Sequence, residues 1–166
     1  MVSPSKTETV ETVNELVAYM ASGARPKEEW RLGTEHEKFG YTLDDLRPLP
    51  YGGDRGIQAI LTGLSDQFDW NPVQEEGQTI ALLDNTGASI TLEPGGQLEL
   101  SGALLDSIHQ TCTEVNNHLR QVRTVAEPLD IAFLGMGFQP KWRQEDMEWM
   151  PKARYRIMRD YMKKVG

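Results

Sequence analysis

This 166-residue chain has a single thiol, Cys112. One cysteine excludes an intrachain disulfide framework and points to a reducing compartment. No apolar run approaches the ~20 residues that a bilayer-crossing helix needs, so no membrane role is expected. The first residues, MVSPSKTETVETV, have no apolar signal region and carry glutamates, which transit peptides avoid. Cytoplasm is therefore the expected location. Basic residues are also scarce, with 17 Lys and Arg against 25 Asp and Glu and a net charge of −8. That leaves no cationic surplus to displace counterions, so nucleic acid is not expected as a partner. There is no internal repeat and no low-complexity linker. The remainder, 39% hydrophobic and 25% charged, reads as one folded domain over 1–166 with enough chain for a real core.

Periodicity lays out the elements. Ser5 to Ser22 reads as a helix, with Ser5 and Glu8 as a capping box and Val10, Val13, Leu16, Val17 and Met20 as its apolar stripe. Gly23 stops it. Trp30 to Tyr41 reads as a strand. The prolines and glycines of RPLPYGGDRG mark a loop before a second helix, Arg55 to Phe68. QTIALLD and ASITLEP are short strands around an Asn85-Thr86-Gly87 turn. Pro94 to Gly96 turns the chain again into QLELS, completing an antiparallel meander. Leu104 to Glu127 predicts a helix whose stripe runs Ile108, Cys112, Val115, Leu119, Val122, Val125, with Cys112 as a small core residue. Ile131 to Phe138 predicts a buried strand, and Ala153 to Lys164 a final helix. This grouping predicts an α+β fold, with helices packed on one face of a mainly antiparallel sheet.

The strands place carboxylates together. Side chains two apart on a strand share a face. Glu35 and Glu37 therefore project with Phe39, while Leu32, Thr34 and His36 point the other way. Gln97, Glu99 and Ser101 share one face against Leu98 and Leu100, and Thr91 and Glu93 lie opposite Leu92. Like charges this close raise each other's pKa unless a cation neutralises them. Mg²⁺ suits such a floor, because it takes hard oxygen ligands at ~2.1 Å and is completed by waters and phosphates. Spacing alone favours an ordinary polar sheet face, because antiparallel sheets commonly alternate this way. His36, on the opposite side, reads as a packed histidine.

The strings GTEHEKFGY, LEPGGQLELSGA, HQTCTEVNNHL, FLGMGFQPKWR and MPKARYRIMRDYM together resemble the plant and proteobacterial type of glutamate–cysteine ligase. The resemblance runs from about Arg31 to Gly166. It implies a glutamine-synthetase-like fold, in which an antiparallel sheet forms a funnel floored by metal-binding glutamates. It also implies a reaction: ATP phosphorylates the γ-carboxylate of glutamate and the cysteine amine displaces phosphate, the first step of glutathione synthesis. Glutamate, cysteine and ATP are the implied substrates, and Mg²⁺, replaceable by Mn²⁺, the implied metal. On this resemblance the E-x-E of the first strand corresponds to Glu35 and Glu37, and the L-E-L strand to Glu99. These three are the catalytic, metal-binding candidates, with Glu93 a further metal ligand and Gln97 a substrate-side neighbour. Among the basic residues of the last segment, Arg154 and Arg159 are the candidates for a substrate carboxylate or phosphate, which an Arg fork suits. Arg156 and Asp160, at i and i+4, read as a surface pair.

Members of that family run to several hundred residues, so the funnel is expected to be incomplete here. Leu104, Glu148, Ala153 and Lys163 stand where the family shows proline or glycine. A related ligase using another amine, and a non-catalytic module that binds metal or nucleotide, are the alternatives. Self-association or a complementary C-terminal polypeptide would complete the sheet, since unpaired strand edges seek partners.

Overall fold

Alternation along four short strands decides which face of the sheet is covered. In the computed structural model, which describes residues 9–166, a first unit ends at Trp30 and a second runs from Arg31 to Gly166. The first unit holds one α-helix, α1 (Val13–Ser22), capped by Thr12 and Glu15 in a reciprocal capping box. That box, one turn before the apolar residues, satisfies two of the helix's unpaired N–H groups and sets its start. The Ser5–Glu8 box lies outside the described residues, and the helix begins at Val13.

The second unit is built on six strands: β1 (Glu35–Thr42), β2 (Asn71–Glu75), β3 (Gln78–Leu83), β4 (Ser89–Leu92), β5 (Leu98–Ser101) and β6 (Ile131–Leu134). Their order is β2-β3-β4-β5-β1-β6, and every pairing is antiparallel. The meander is where the turns predicted it. At the second turn, Gly96 N–H donates to Glu93 O at 2.9 Å and Gly96 has φ +84°. Glycine adopts that conformation without the penalty a Cβ would bring. β2 was not predicted; its Pro72 sits on an edge strand, where a missing N–H is tolerated. β6 is shorter and less buried than expected. It ends at Leu134 on the opposite edge, and Leu134 and Phe138 are exposed. Of the four residues of β6 only Ile131 is fully buried, as suits an edge strand with one partner.

Helices α2 (Ile57–Gln67) and α3 (Ile108–Ala126) cover one sheet face. Ile57, Ile60, Leu61 and Leu64 are fully buried against Leu82, Ile90, Leu92, Leu98 and Leu100. Each such side chain contributes about 1.5–3 kcal/mol of transfer free energy. The stripe of α3 holds in part: Val115, Val122 and Val125 pack on the core as predicted. His118, Val122 and Val125 face inward, whereas Ile108, Leu119 and Cys112 are exposed. Cys112 is thus not a core residue. Near the end of α3, Val125 closely approaches α2. At that approach a Cβ on Gly63 would lie 2.5 Å from Val125 Cγ1.

One polar pair lies under the sheet. Lys38 is 1% exposed and its ammonium donates to His36 O (3.2 Å), Leu98 O (3.1 Å) and His118 Nε2 (2.8 Å). All three of its protons are placed, as a buried ammonium requires. With Lys38 as the ammonium, His118 accepts at Nε2 and carries its own proton on Nδ1, which has no partner. Burial pulls His118 down to about 3, helped by the charge of Lys38, and pulls Lys38 down to about 7 against the opposing pull of Glu99 and Glu37.

Two outcomes follow from this core. His118 titrates near 6.5 when unfolded and near 3 when folded, so the unfolded chain takes up its proton first as the pH falls. Its contribution is complete above pH 6.5 and is lost on the way down to pH 3. Urea unfolding across that window should show stability falling with acid in the wild type and a flatter profile in His118→Gln; parallel profiles would contradict this. Gly63→Leu should cost about 1–3 kcal/mol by overpacking Val125, read from the shift in urea midpoint.

Candidate functional site

The face of the sheet opposite α2 and α3 carries the predicted carboxylates. In the β1–β5 register Glu37 stands directly across from Glu99, and Glu35 across from Ser101. The β4–β5 register extends both rows, placing Thr91 across from Glu99 and Ser89 across from Ser101. One row perpendicular to the strands thus reads Glu37, Glu99, Thr91. The inward residues Leu98, Leu100, Ile90 and Leu92 are all buried, which locks this register, because a slip of one residue would bury the glutamates and expose the leucines.

Within the row, Thr91 Oγ1 donates to Glu99 Oε2 at 2.7 Å. That bond fixes the Glu99 carboxylate and leaves lone pairs for another partner. Glu93 follows β4 at the mouth of the Pro94–Gly96 turn. Burial raises its pKa, Glu99 and Glu37 raise it further, and Lys152 and Arg154 oppose the rise. Three carboxylates and two cations therefore share one electrostatic neighbourhood. Glu35 is exposed on the same face. Gln97 is half-buried, and its Oε1 is a buried acceptor with no partner.

Helix α4 (Ala153–Val165) brings the cations. Its start is set by Glu75, whose Oε1 accepts from Ala153 N–H at 2.9 Å, and by Met150 N–H donating to Pro94 O at 3.0 Å. Lys152 is buried and donates to Leu92 O at 2.8 Å, and the Tyr155 hydroxyl donates to the same carbonyl at 2.5 Å. Arg154 donates to Tyr155 Oη at 3.1 Å, and that bond raises its pKa, with Glu93 and Glu99 contributing. Arg159 lies 5.8 Å over the Trp149 ring and beside Asp160, and lines a depression with Glu76, Gln78 and Arg156 that Lys152 and Tyr155 also line. Arg156 pairs with both oxygens of Glu76 across the β2–β3 turn, not with Asp160.

His36 lies on the helix-side face, half-buried, as expected. Sequence reasoning missed Lys152, Tyr155 and Lys38. The signal for Lys38 was present, since it shares the parity of Leu98 and His36 and so had to be an inward lysine. At the far end of β1, Phe39 packs edge-on to Trp142 with ring centroids 6.4 Å apart. Both line an apolar groove of about 280 Å³ with Leu134 and Met136, next to the carboxylate rows.

The donor set suits a hard divalent cation in part. Among the described residues no three His, Cys, Asp or Glu side chains converge on one point. Glu37 and Glu99 form a facing pair, the arrangement in which Mg²⁺ is held by one or two carboxylates and completed by waters and phosphates.

A sequence profile for glutamate–cysteine ligase family 2 matches residues 31–166. Glutamate–cysteine ligase A, chloroplastic, of Oryza sativa subsp. japonica is 54% identical over 99% of this chain and 34% of its own length. The chloroplastic glutamate–cysteine ligases of Brassica juncea and Arabidopsis thaliana are 56% and 55% identical, over 93% of this chain and 29% of theirs. The chain spans about a third of the length of the curated relatives it matches. Their names overturn the cytoplasmic expectation. A lone cysteine fits any reducing compartment, and the acidic start described only its own residues. Among the described residues no helix is long and apolar enough to cross a membrane. A matching profile over most of the chain, together with relatives above half identity, places this chain in glutamate–cysteine ligase family 2.

Proposed function

We propose that this chain carries the metal-binding floor of an ATP-dependent glutamate–cysteine ligase with a glutamine-synthetase-like catalytic fold. The observation that supports this most is the facing pair Glu37 and Glu99 on the uncovered sheet face, with Glu93 and Arg154 beside it. The names of the relatives supply the reaction.

The chemistry has two halves. A γ-carboxylate oxygen of glutamate bonds to the γ-phosphorus of ATP, the bond to the β–γ bridging oxygen breaks, and ADP leaves. The cysteine amine then bonds the acyl carbon and gives up a proton, and phosphate departs with the oxygen it gained. When bound, Mg²⁺ or Mn²⁺ supplies charge neutralisation for the phosphate oxygens. Glu37 and Glu99 hold it, Thr91 keeps Glu99 oriented, and Glu35 and Glu93 complete the acidic field. Arg154 offers a fork to a substrate carboxylate or phosphate, and Gln97 a polar contact. Work of this kind is positioning and electrostatics, which a rigid sheet provides well.

A second reading makes the chain a binding module that completes a site only with further sequence or a second copy. It is favoured by the absence of a third converging ligand among the described residues and by the open edges at β2 and β6.

The test is Mg²⁺-dependent ADP release by the 166-residue chain supplied with ATP, glutamate and cysteine, with Glu37→Ala as a guard against contaminating ligase. Release that needs both amino acids supports catalysis; no release from folded protein supports the module. Replacing cysteine by other amines reads the amine specificity. In either case Glu37→Ala and Glu99→Ala should weaken Mg²⁺-dependent nucleotide binding at least about tenfold with unchanged circular dichroism. Unchanged affinity in both variants would remove the floor.

A further inference from the structure

The floor has a charge behind it that its own chemistry does not require. Lys38 follows Glu37 in β1, and it pairs in register with Leu98, the residue before Glu99. Its side chain passes to the helix side, where the ammonium is held by His36 O, Leu98 O and His118 Nε2. The bonds to His36 O and Leu98 O tie it to the two strands that carry the facing glutamates. Tyr, Trp and aliphatic side chains fill the rest of this core, so a buried ammonium is costly here unless it offsets nearby negative charge.

We propose that Lys38 is a positioning residue for the carboxylate floor. Clamped by His118, it is a resident cation that offsets the mutual repulsion of Glu37 and Glu99 from behind the sheet before any metal arrives. The inference rests on the floor reading above, and it adds a consequence. When Lys38 is protonated, the positive charge beneath the pair lowers the floor's appetite for a divalent cation, so metal held there by the two glutamates alone is weak and depends on substrate phosphates for completion. α3, through His118, thereby sets a property of the opposite face of the sheet.

The test is a double-mutant cycle in urea unfolding with chelator present, just below neutral pH, on Lys38→Met, Glu99→Gln and the double variant. Lys38→Met should reduce the folding equilibrium constant at least about threefold less in the Glu99→Gln background than in the wild type. A control cycle with Glu127→Gln, at the far end of α3, should be additive. If Lys38→Met does not fold, the cycle is run with His118→Leu, which removes one acceptor of the ammonium, and coupling of the same sign is expected. Additive stabilities in the Glu99 cycle overturn the proposal.

A Mn²⁺ titration of the same variants gives the readout that mere structural damage would not produce. Lys38→Met should bind Mn²⁺ at least about threefold tighter than wild type, through Glu37 and Glu99. Where Glu99-dependent Mn²⁺ binding is seen, equal or weaker binding by Lys38→Met overturns the proposal. Coupling in the cycle with no Glu99-dependent Mn²⁺ binding in any variant would keep the role of Lys38 and sink the metal floor; additivity with Glu99-dependent binding intact would do the reverse.

Discussion

Everything at the candidate site depends on the antiparallel register between β1 and β5. That register sets Glu37 against Glu99, and it holds because the alternate positions, Leu98 and Leu100, have nowhere to go but under α2 and α3. A shift by one residue would exchange the two faces entirely. The acidic character of one face and the apolar character of the other are therefore one constraint seen from two sides. Lys38 is the exception that marks it: a charged residue with the parity of the core, held by three acceptors at the strand pair.

Much of this was legible in the chain. The period-two alternation in GTEHEKFGY and GGQLELS, and the turns at Asn85–Gly87 and Pro94–Gly96, were enough to place the carboxylates on one face and to order the meander. The departures have physical reasons. NPVQE carries a proline and little apolar character, so only its place at the sheet edge makes it a strand. IAFLGMGF reads as a buried strand by its apolar run, yet β6 is a sheet edge of which only Ile131 is fully buried. Val115, Val122 and Val125 of the α3 stripe were legible from spacing; the exposure of Ile108, Cys112 and Leu119 was not, because spacing does not say which members of a stripe other elements cover. Arg154 and Arg159 shared one motif, but five residues apart on α4 they leave the helix about 140° from each other, the first near Glu93 and Glu99 and the second over Trp149.

The site is arranged as half of an enclosure. One sheet face is packed and the other is open, bordered by Lys152, Tyr155 and Arg154 at the β4 end and by Phe39 and Trp142 at the β1 end. A facing pair of carboxylates with one fork-shaped cation can hold a metal and a phosphate between them. The chain spans about a third of the length of its curated relatives, and on the proposed reading its sheet supplies a floor and one wall.

The central claim is that the uncovered face takes a divalent cation at Glu37 and Glu99. The most direct measurement is paramagnetic broadening of amide resonances in the ¹⁵N-labelled chain on stepwise addition of Mn²⁺. The account predicts that the amides of Glu37, Thr91, Glu93 and Glu99 broaden first, and that Glu99→Gln delays the effect. Broadening that begins instead at the exposed acids Asp44 and Asp45 or Asp66 and Asp69, with the floor still sharp, would contradict it.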